Sequence, residues 1–380
     1  MRYGHHHHHL LRLPLVTPSL RCSLPPIGGS ILQTLYSSSA SRCIFVLALS
    51  SPTCSRRRYR LNRVIADMES EKELMNEAKR TVTPRLCRVS GSMTEVVEIQ
   101  AESPKFHVLF IPGNPGVVSF YNDFLESLHQ FLDGNASITA VGQISHTSKD
   151  WESGKLFSLQ DQIDHKVEFI RQELESVKVP IILVGHSIGS YISLEILRKC
   201  SEKVLYCIGL YPFLTLNQQS TKQSLIGKLA ASSLLSATAS FLVASLGLLP
   251  MSAARRLVSY SLGASWSDTA VQATCTHLRQ YHTMRNVLYM AMTEFRELAA
   301  EPDWEFMREN QSKLAFLFGI DDHWGPLQLF EEISKHAPGT CLSIEREGHT
   351  HGFCCTVAGS VWVAQHVATR IKTRLHQKCL

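Results

Sequence analysis

Acidic residues are missing from the first 66 positions of this 380-residue chain, which nevertheless hold nine arginines: Arg2, Arg12, Arg21, Arg42, Arg56, Arg57, Arg58, Arg60 and Arg63. Without those nine, 29 basic residues face 33 acidic ones, so the net charge of +5 comes from the N-terminal stretch and the remainder is mildly acidic. Such a balance excludes a basic nucleic-acid module, and no nucleic-acid partner is expected. A C-x-x-C pair is also absent, although the chain has eleven cysteines. An odd count that includes the adjacent pair Cys354-Cys355 makes a poor disulfide framework; reduced, mostly buried thiols and an intracellular compartment are expected. With 21 glycines, 15 prolines and 44% apolar residues, the chain is neither collagenous nor wholly disordered. It is long enough for a sizeable core. The longest apolar run of the first 66 residues, 43–49, is too short to span a bilayer.

What is present divides the chain. Residues 1–66 are rich in arginine and serine and carry a histidine run at 5–9. That composition is shared by transit peptides, so the segment reads either as a disordered extension or as an address to a plastid or mitochondrion. Met68 opens an acidic stretch, Met68-Glu69-Ser70-Glu71, and translation starts at Met1 or at Met68. Residues 67–93 read as a lead-in. From 94 onward strand and helix patterns alternate: strands at 94–100, 106–111, 138–141, 180–184 and 204–210, a helix at 158–177 capped by Ser158, and a helix at 188–199. Two more strands, 313–318 and 341–344, come much later, each followed by a helical pattern. The alternation predicts an α/β fold with a mostly parallel central sheet and helices on both faces, its core split into 94–212 and 311–380. The interval 213–310 is helical throughout and reads as an inserted cap. Within it residues 229–250 carry no charge, but include five serines and a threonine, and are bracketed by Lys228, Arg255 and Arg256. Two readings stay open for this stretch: a buried cap helix, or a segment that dips into a membrane or lipid monolayer.

The chemistry gathers at Gly185-His186-Ser187-Ile188-Gly189, a G-x-S-x-G between a buried strand and a helix. A sharp turn there lifts the Ser187 hydroxyl out of the sheet, and small residues two before and two after let strand and helix crowd together. A serine nucleophile needs a base, and the base needs a carboxylate. In the chain order serine, acid, histidine, the acids are Asp321 and Asp322, just past the strand at 313–318; spacing from Gly319 and Pro326 favours Asp322. Their alternative role is to cap the helix starting near Pro326. For the base, His349 and His351 compete, and His351, followed by Gly352-Phe353, is favoured. The oxyanion donors are expected to be the N–H groups of Ile188 and Asn114, since Pro112 and Pro115 have none to give. His349, His351, Cys354 and Cys355 are metal-ligand types set too close for a structural zinc site, so neither metal nor cofactor is expected.

The chain resembles the lipid droplet-associated hydrolase family of α/β-hydrolases across nearly all of 94–372. Four stretches carry the resemblance: Phe110-Ile111-Pro112-Gly113-Asn114-Pro115-Gly116 with Phe120-Tyr121, Gly185-His186-Ser187-Ile188-Gly189-Ser190-Tyr191, Asp322 with Trp324 and Pro326, and His351-Gly352-Phe353. It implies the α/β-hydrolase fold and supports His351 and Asp322 over their neighbours. It also implies residence at lipid droplets and the endoplasmic reticulum, with residues 229–250 as the membrane-seeking element. The expected activity is serine carboxylic-ester hydrolysis of neutral lipid or sterol esters in lipid storage or turnover. The Arg-rich extension departs from the family pattern. The rival expectations are a droplet tether with little turnover and a soluble organellar esterase of small esters.

Overall fold

A computed structural model describes residue 82 and residues 84–378, apart from 263 and 264. The expectations for residues 1–66 lie outside the described residues, as does most of the lead-in.

The sheet begins earlier than residue 94. Strand β1 (Arg85–Val89) is broken by Arg85 and Arg88 and turns only Cys87 and Val89 inward, so a search for apolar runs passes over it. Ser90 and Gly91, both at positive φ (48° and 88°), make the tight turn into β2 (Ser92–Ile99). There follow β3 (Phe106–Ile111), helix α1 (Asn122–Phe131), β4 (Ala136–Val141), α2 (Leu159–Glu173), β5 (Ile181–His186), α3 (Ile188–Lys199) and β6 (Val204–Leu210). Ser158 caps α2 with Asp161 answering from the third position, a reciprocal capping box. The eight strands lie in the order β1-β2-β4-β3-β5-β6-β7-β8, where β7 is Leu314–Gly319 and β8 is Cys341–Glu345. The pairings of β2 with β1 and β4 are antiparallel and the others parallel.

Alternation along the buried strands sorts their side chains into two layers. Val108, Phe110, Ile182 and Val184 join one core with Phe124 and Leu128 of α1 and with Val363 and Val367 near the C-terminus. Leu109, Ile111, Ile181 and Leu183 join the other, with Ile163 and Val167 of α2 and Ile192 and Ile196 of α3. Strands buried on both faces favour apolar residues at nearly every position, which is why β3 and β5 read as apolar runs interrupted only by His107, which meets the Thr139 hydroxyl at 3.0 Å, and by the closing Gly185-His186.

Between β6 and β7 run α4 (Thr221–Ala231), α5 (Ser233–Ser245), α6 (Met251–Leu262), α7 (Asp268–Ala273), α8 (Tyr281–Glu297) and α9 (Trp304–Glu309). After β7 come α10 (Leu327–His336) and, past β8, α11 (Val357–Lys378). The uncharged stretch 229–250 is not one helix. The chain bends by 98° between α4 and the following helical residues. Ser232 forms the break: its hydroxyl accepts the Leu235 N–H and starts α5 afresh. Among the described residues no single helix is long and apolar enough to cross a membrane. Arg285 of α8 donates to the Ser236 hydroxyl (2.9 Å), and Arg279 to the carbonyls of Gly247 and Leu249 (2.7 and 3.0 Å), tying the bent pair to the rest of the insertion.

Candidate active site

Ser187 occupies the single position between β5 and α3, with φ 55° and ψ −124°, a region that side-chain-bearing residues rarely adopt. Surrounding hydrogen bonds hold it there: its N–H donates to the Leu210 carbonyl (2.9 Å), while its own carbonyl accepts from Ser190 (2.9 Å) and Phe213 (3.2 Å). The two flanking glycines have no room for a side chain. A Cβ on Gly185 would lie 2.2 Å from the Gly189 carbonyl oxygen, and one on Gly189 would lie 2.3 Å from that of Ile111. Both obstacles are backbone and cannot rotate away. Gly189→Ala is therefore expected to destabilise the fold by about 3 kcal/mol, read as a lower denaturant midpoint. An unchanged midpoint contradicts this account of the turn.

At the end of β7 the two neighbouring aspartates part company. Asp321 is exposed and Asp322 is buried. Asp322 Oδ2 accepts from His351 Nδ1 at 2.8 Å, while Oδ1 accepts the Trp324 N–H at 2.9 Å. Helix α10 starts at Pro326 without a side-chain cap, so neither acid serves it. His351 follows β8 and is buried, whereas His349 lies against Trp362, ring centroids 5.6 Å apart. Of the two acids and two histidines, the geometry joins Asp322 to His351. Ser187, Asn114 and His351 all line one cavity between the strand ends and the inserted helices, walled by Ile226, Leu229, Val243, Leu288, Phe295 and Trp324. A smaller chamber, shared by Ser187 and His351, opens toward Tyr121, His186 and Cys354.

Beneath these residues runs a hydrogen-bond chain that no local sequence pattern signals. Tyr121 Oη accepts the Gly113 N–H (3.2 Å) and lies 2.8 Å from His186 Nδ1. His186 Nε2 lies 2.9 Å from the His351 carbonyl oxygen. A carbonyl only accepts, so Nε2 carries the ring proton, Nδ1 accepts, and the tyrosine hydroxyl donates. Burial holds the His186 imidazole well below its ordinary pKa, outweighing the hydrogen bond to the His351 carbonyl, so the ring stays neutral. One side chain thereby links the loop after β3, the turn at Ser187 and the backbone of His351. Its only signal in the sequence was its place inside G-x-S-x-G. Ile188 opens α3, where a helix leaves its first N–H groups without internal partners. The Gly113 N–H is engaged by Tyr121. The Asn114 amide Nδ2 donates to the Val287 carbonyl (2.9 Å) and to Glu294 (3.0 Å), fastening this loop to α8.

The four ligand-type residues near the C-terminal end do not converge. His351 meets Asp322, His349 meets Trp362, and among the described residues no group of three His, Cys, Asp or Glu is set to hold a metal ion. The seven described cysteines are free thiols.

Residues 104–354 match a family described as lipid-droplet associated hydrolase. A lipid droplet-associated hydrolase of Gallus gallus is 28% identical over 263 residues, spanning 66% of this chain and 80% of that protein. One from Dictyostelium discoideum is 28% identical over 272 residues (68% and 86%), and one from Homo sapiens 25% over 280 (69% and 84%). Among solved structures, epoxide hydrolase VrEH1 from Vigna radiata superposes with a TM-score of 0.55 at 15% identity, covering 78% of this chain and 100% of that one. Haloalkane dehalogenase DbeA from Bradyrhizobium elkani USDA94 gives 0.56 at 12%, covering 78% and 99%. At such identities the likeness is one of fold, and the fold is that of the α/β-hydrolases.

Proposed function

The chain belongs to the lipid-droplet associated hydrolase family, and on that premise we propose that it is a serine hydrolase of lipid carboxylic esters working at a lipid surface. The observation that carries this reading is the buried Asp322–His351 pair at 2.8 Å, whose histidine lines a mostly apolar cavity together with a serine held at positive φ. Asp322 fixes the imidazole with its proton on Nδ1, which leaves Nε2 as the base. Ser187 Oγ attacks the ester carbonyl and passes its proton to His351. The oxyanion is received by the N–H groups of Ile188 and Asn114, each such donor contributing about 3 kcal/mol to transition-state stabilisation. His351 then protonates the departing alcohol, and water releases the fatty acid from the acyl-enzyme.

The lipid surface enters through the bent pair α4 and α5. Leu234, Phe241 and Leu248 are 74%, 66% and 88% exposed, while Ile226, Leu229 and Val243 of the same segment face the cavity. Exposed apolar side chains this close together mark an interaction surface. Exposed Lys228, Arg255 and Arg256 flank it, as suits the anionic headgroups of a droplet monolayer or the endoplasmic reticulum.

The test is a panel running from soluble nitrophenyl esters to phospholipid-coated emulsions of triacylglycerol and sterol esters. The wild type is expected to hydrolyse both kinds. The double variant Leu234→Asp, Phe241→Asp is expected to lose binding and turnover of emulsions by about 100-fold, with soluble-ester turnover within about twofold. Absence of ester turnover by well-folded protein ends the hydrolase reading; emulsion activity untouched by the double variant ends the docking one.

A further inference from the structure

The cavity shared by Ser187 and His351 is otherwise lined mostly by carbon, except at one corner. Glu294, in the last turns of α8, is 3% exposed and lies among Leu288, Ala291 and Phe295 on the wall facing Ser187. It and His351 are the ionisable groups among the lining residues. Among the described residues no lysine, arginine or histidine pairs with it; its side-chain partner is the amide Nδ2 of Asn114. A carboxylate buried without a cation is costly, and the group keeps its proton instead. Burial pushes its pKa up to about 8 against the opposing hydrogen bond from Asn114. At neutral pH the corner therefore holds a carboxylic acid, with one oxygen accepting from Asn114 and an O–H left to give. Asn114 has the complementary vacancy. Its Nδ2 is used by Val287 and Glu294, while its Oδ1 is buried with no donor.

An unused donor beside an unused acceptor, in a chamber otherwise mostly apolar, is the pattern by which binding sites orient a ligand. A hydroxyl answers both at once; an ester carbonyl answers only the donor, and a hydrocarbon neither. The corner also lies close to the chemistry. A Cβ on Gly113 would sit 3.1 Å from Ser187 Cβ, and Asn114 is the next residue. We propose that Glu294 and Asn114 together read a free hydroxyl a few bonds from the scissile ester, so that the preferred substrate is a partial ester of a polyol rather than a fully esterified or simple alkyl ester. This rests on the hydrolase reading above and narrows its substrate class. Glu294 is a specificity-determining residue in it, distinct from the group that takes the serine proton.

The test compares the full chain on glycerol monobutyrate and on the same ester with both hydroxyls methylated, with fluorophosphonate labelling of Ser187 alongside. The wild type is expected to favour the hydroxyl-bearing ester in kcat/KM by about tenfold. Glu294→Gln, whose amide still donates, keeps most of that preference, and Glu294→Met brings the ratio to about one. An equal fall on both esters in Glu294→Met, with the ratio preserved, makes Glu294 a strut for Asn114 and overturns the proposal. A wild-type ratio near one overturns it as well, and that measurement needs no variant to fold. Labelled protein that shows no preference, or turns over neither ester, defeats the substrate inference alone. Protein that is neither labelled nor active takes the hydrolase reading down with it.

Discussion

Ser187→Ala is expected to abolish covalent labelling by a fluorophosphonate and to lower ester hydrolysis by about 10⁵- to 10⁶-fold, with thermal unfolding unchanged. The turn at Ser187 is held from outside, by the Leu210 carbonyl on one side and the N–H groups of Ser190 and Phe213 on the other. Alanine keeps the same backbone and the same Cβ, so these bonds survive and only the nucleophile goes. The residual rate measures what the oxyanion donors and the cavity accomplish with water as the attacking group. Labelling that persists in the variant would place the reactive group elsewhere and remove the basis of the mechanism.

Asp322→Asn is expected to cost about 10⁴-fold in kcat, whereas Asp321→Asn changes it by no more than about twofold. The two side chains are adjacent in sequence, but one is exposed and the other accepts both the His351 Nδ1 proton and the Trp324 N–H. With asparagine at 322 the amide can present its N–H₂ to Nδ1, which favours the tautomer with the proton on Nε2 and leaves the base facing the serine already protonated. The pH–rate profile reports this directly as loss of the limb that belongs to the free imidazole. Equal losses in the two variants would mean that the acid has been assigned to the wrong carboxylate.

Parts of this architecture were written in the order of residues. Helix α3 and strand β6 fall where their periodicities predict, Ile188–Lys199 and Val204–Leu210, because each spends its apolar residues in a pattern peculiar to its geometry. Ser158 was readable as a cap because a hydroxyl before an amphipathic run has few other uses. Strand β1 was hidden because it is short, half-exposed and interrupted by two arginines. The bend at Ser232 was hidden for another reason: five serines in an apolar stretch can bond back within a helix or cap a new one, and only the surroundings decide. At the candidate site, Ser187, two acids and two histidines were legible in chain order, but burial separates Asp322 from Asp321 and burial is not local. The contacts of Tyr121 with His186, of His186 with His351 and of Asn114 with Glu294 span 65, 165 and 180 positions. No window along the chain contains both partners, so Tyr121 entered only as part of a motif and Glu294 not at all.

The bend at Ser232 gives the two helices a double allegiance: leucine and phenylalanine outward, isoleucine, leucine and valine toward the cavity that Ser187 lines. A long acyl chain pulled from oil into water forfeits about 0.8 kcal/mol for each methylene. On the proposed function, an acyl chain passing beneath this bent pair, apolar on both sides, reaches Ser187 from a droplet without that passage. Substrates too greasy to dissolve are then the ones for which anchorage counts most, and the advantage grows with every carbon added to the tail.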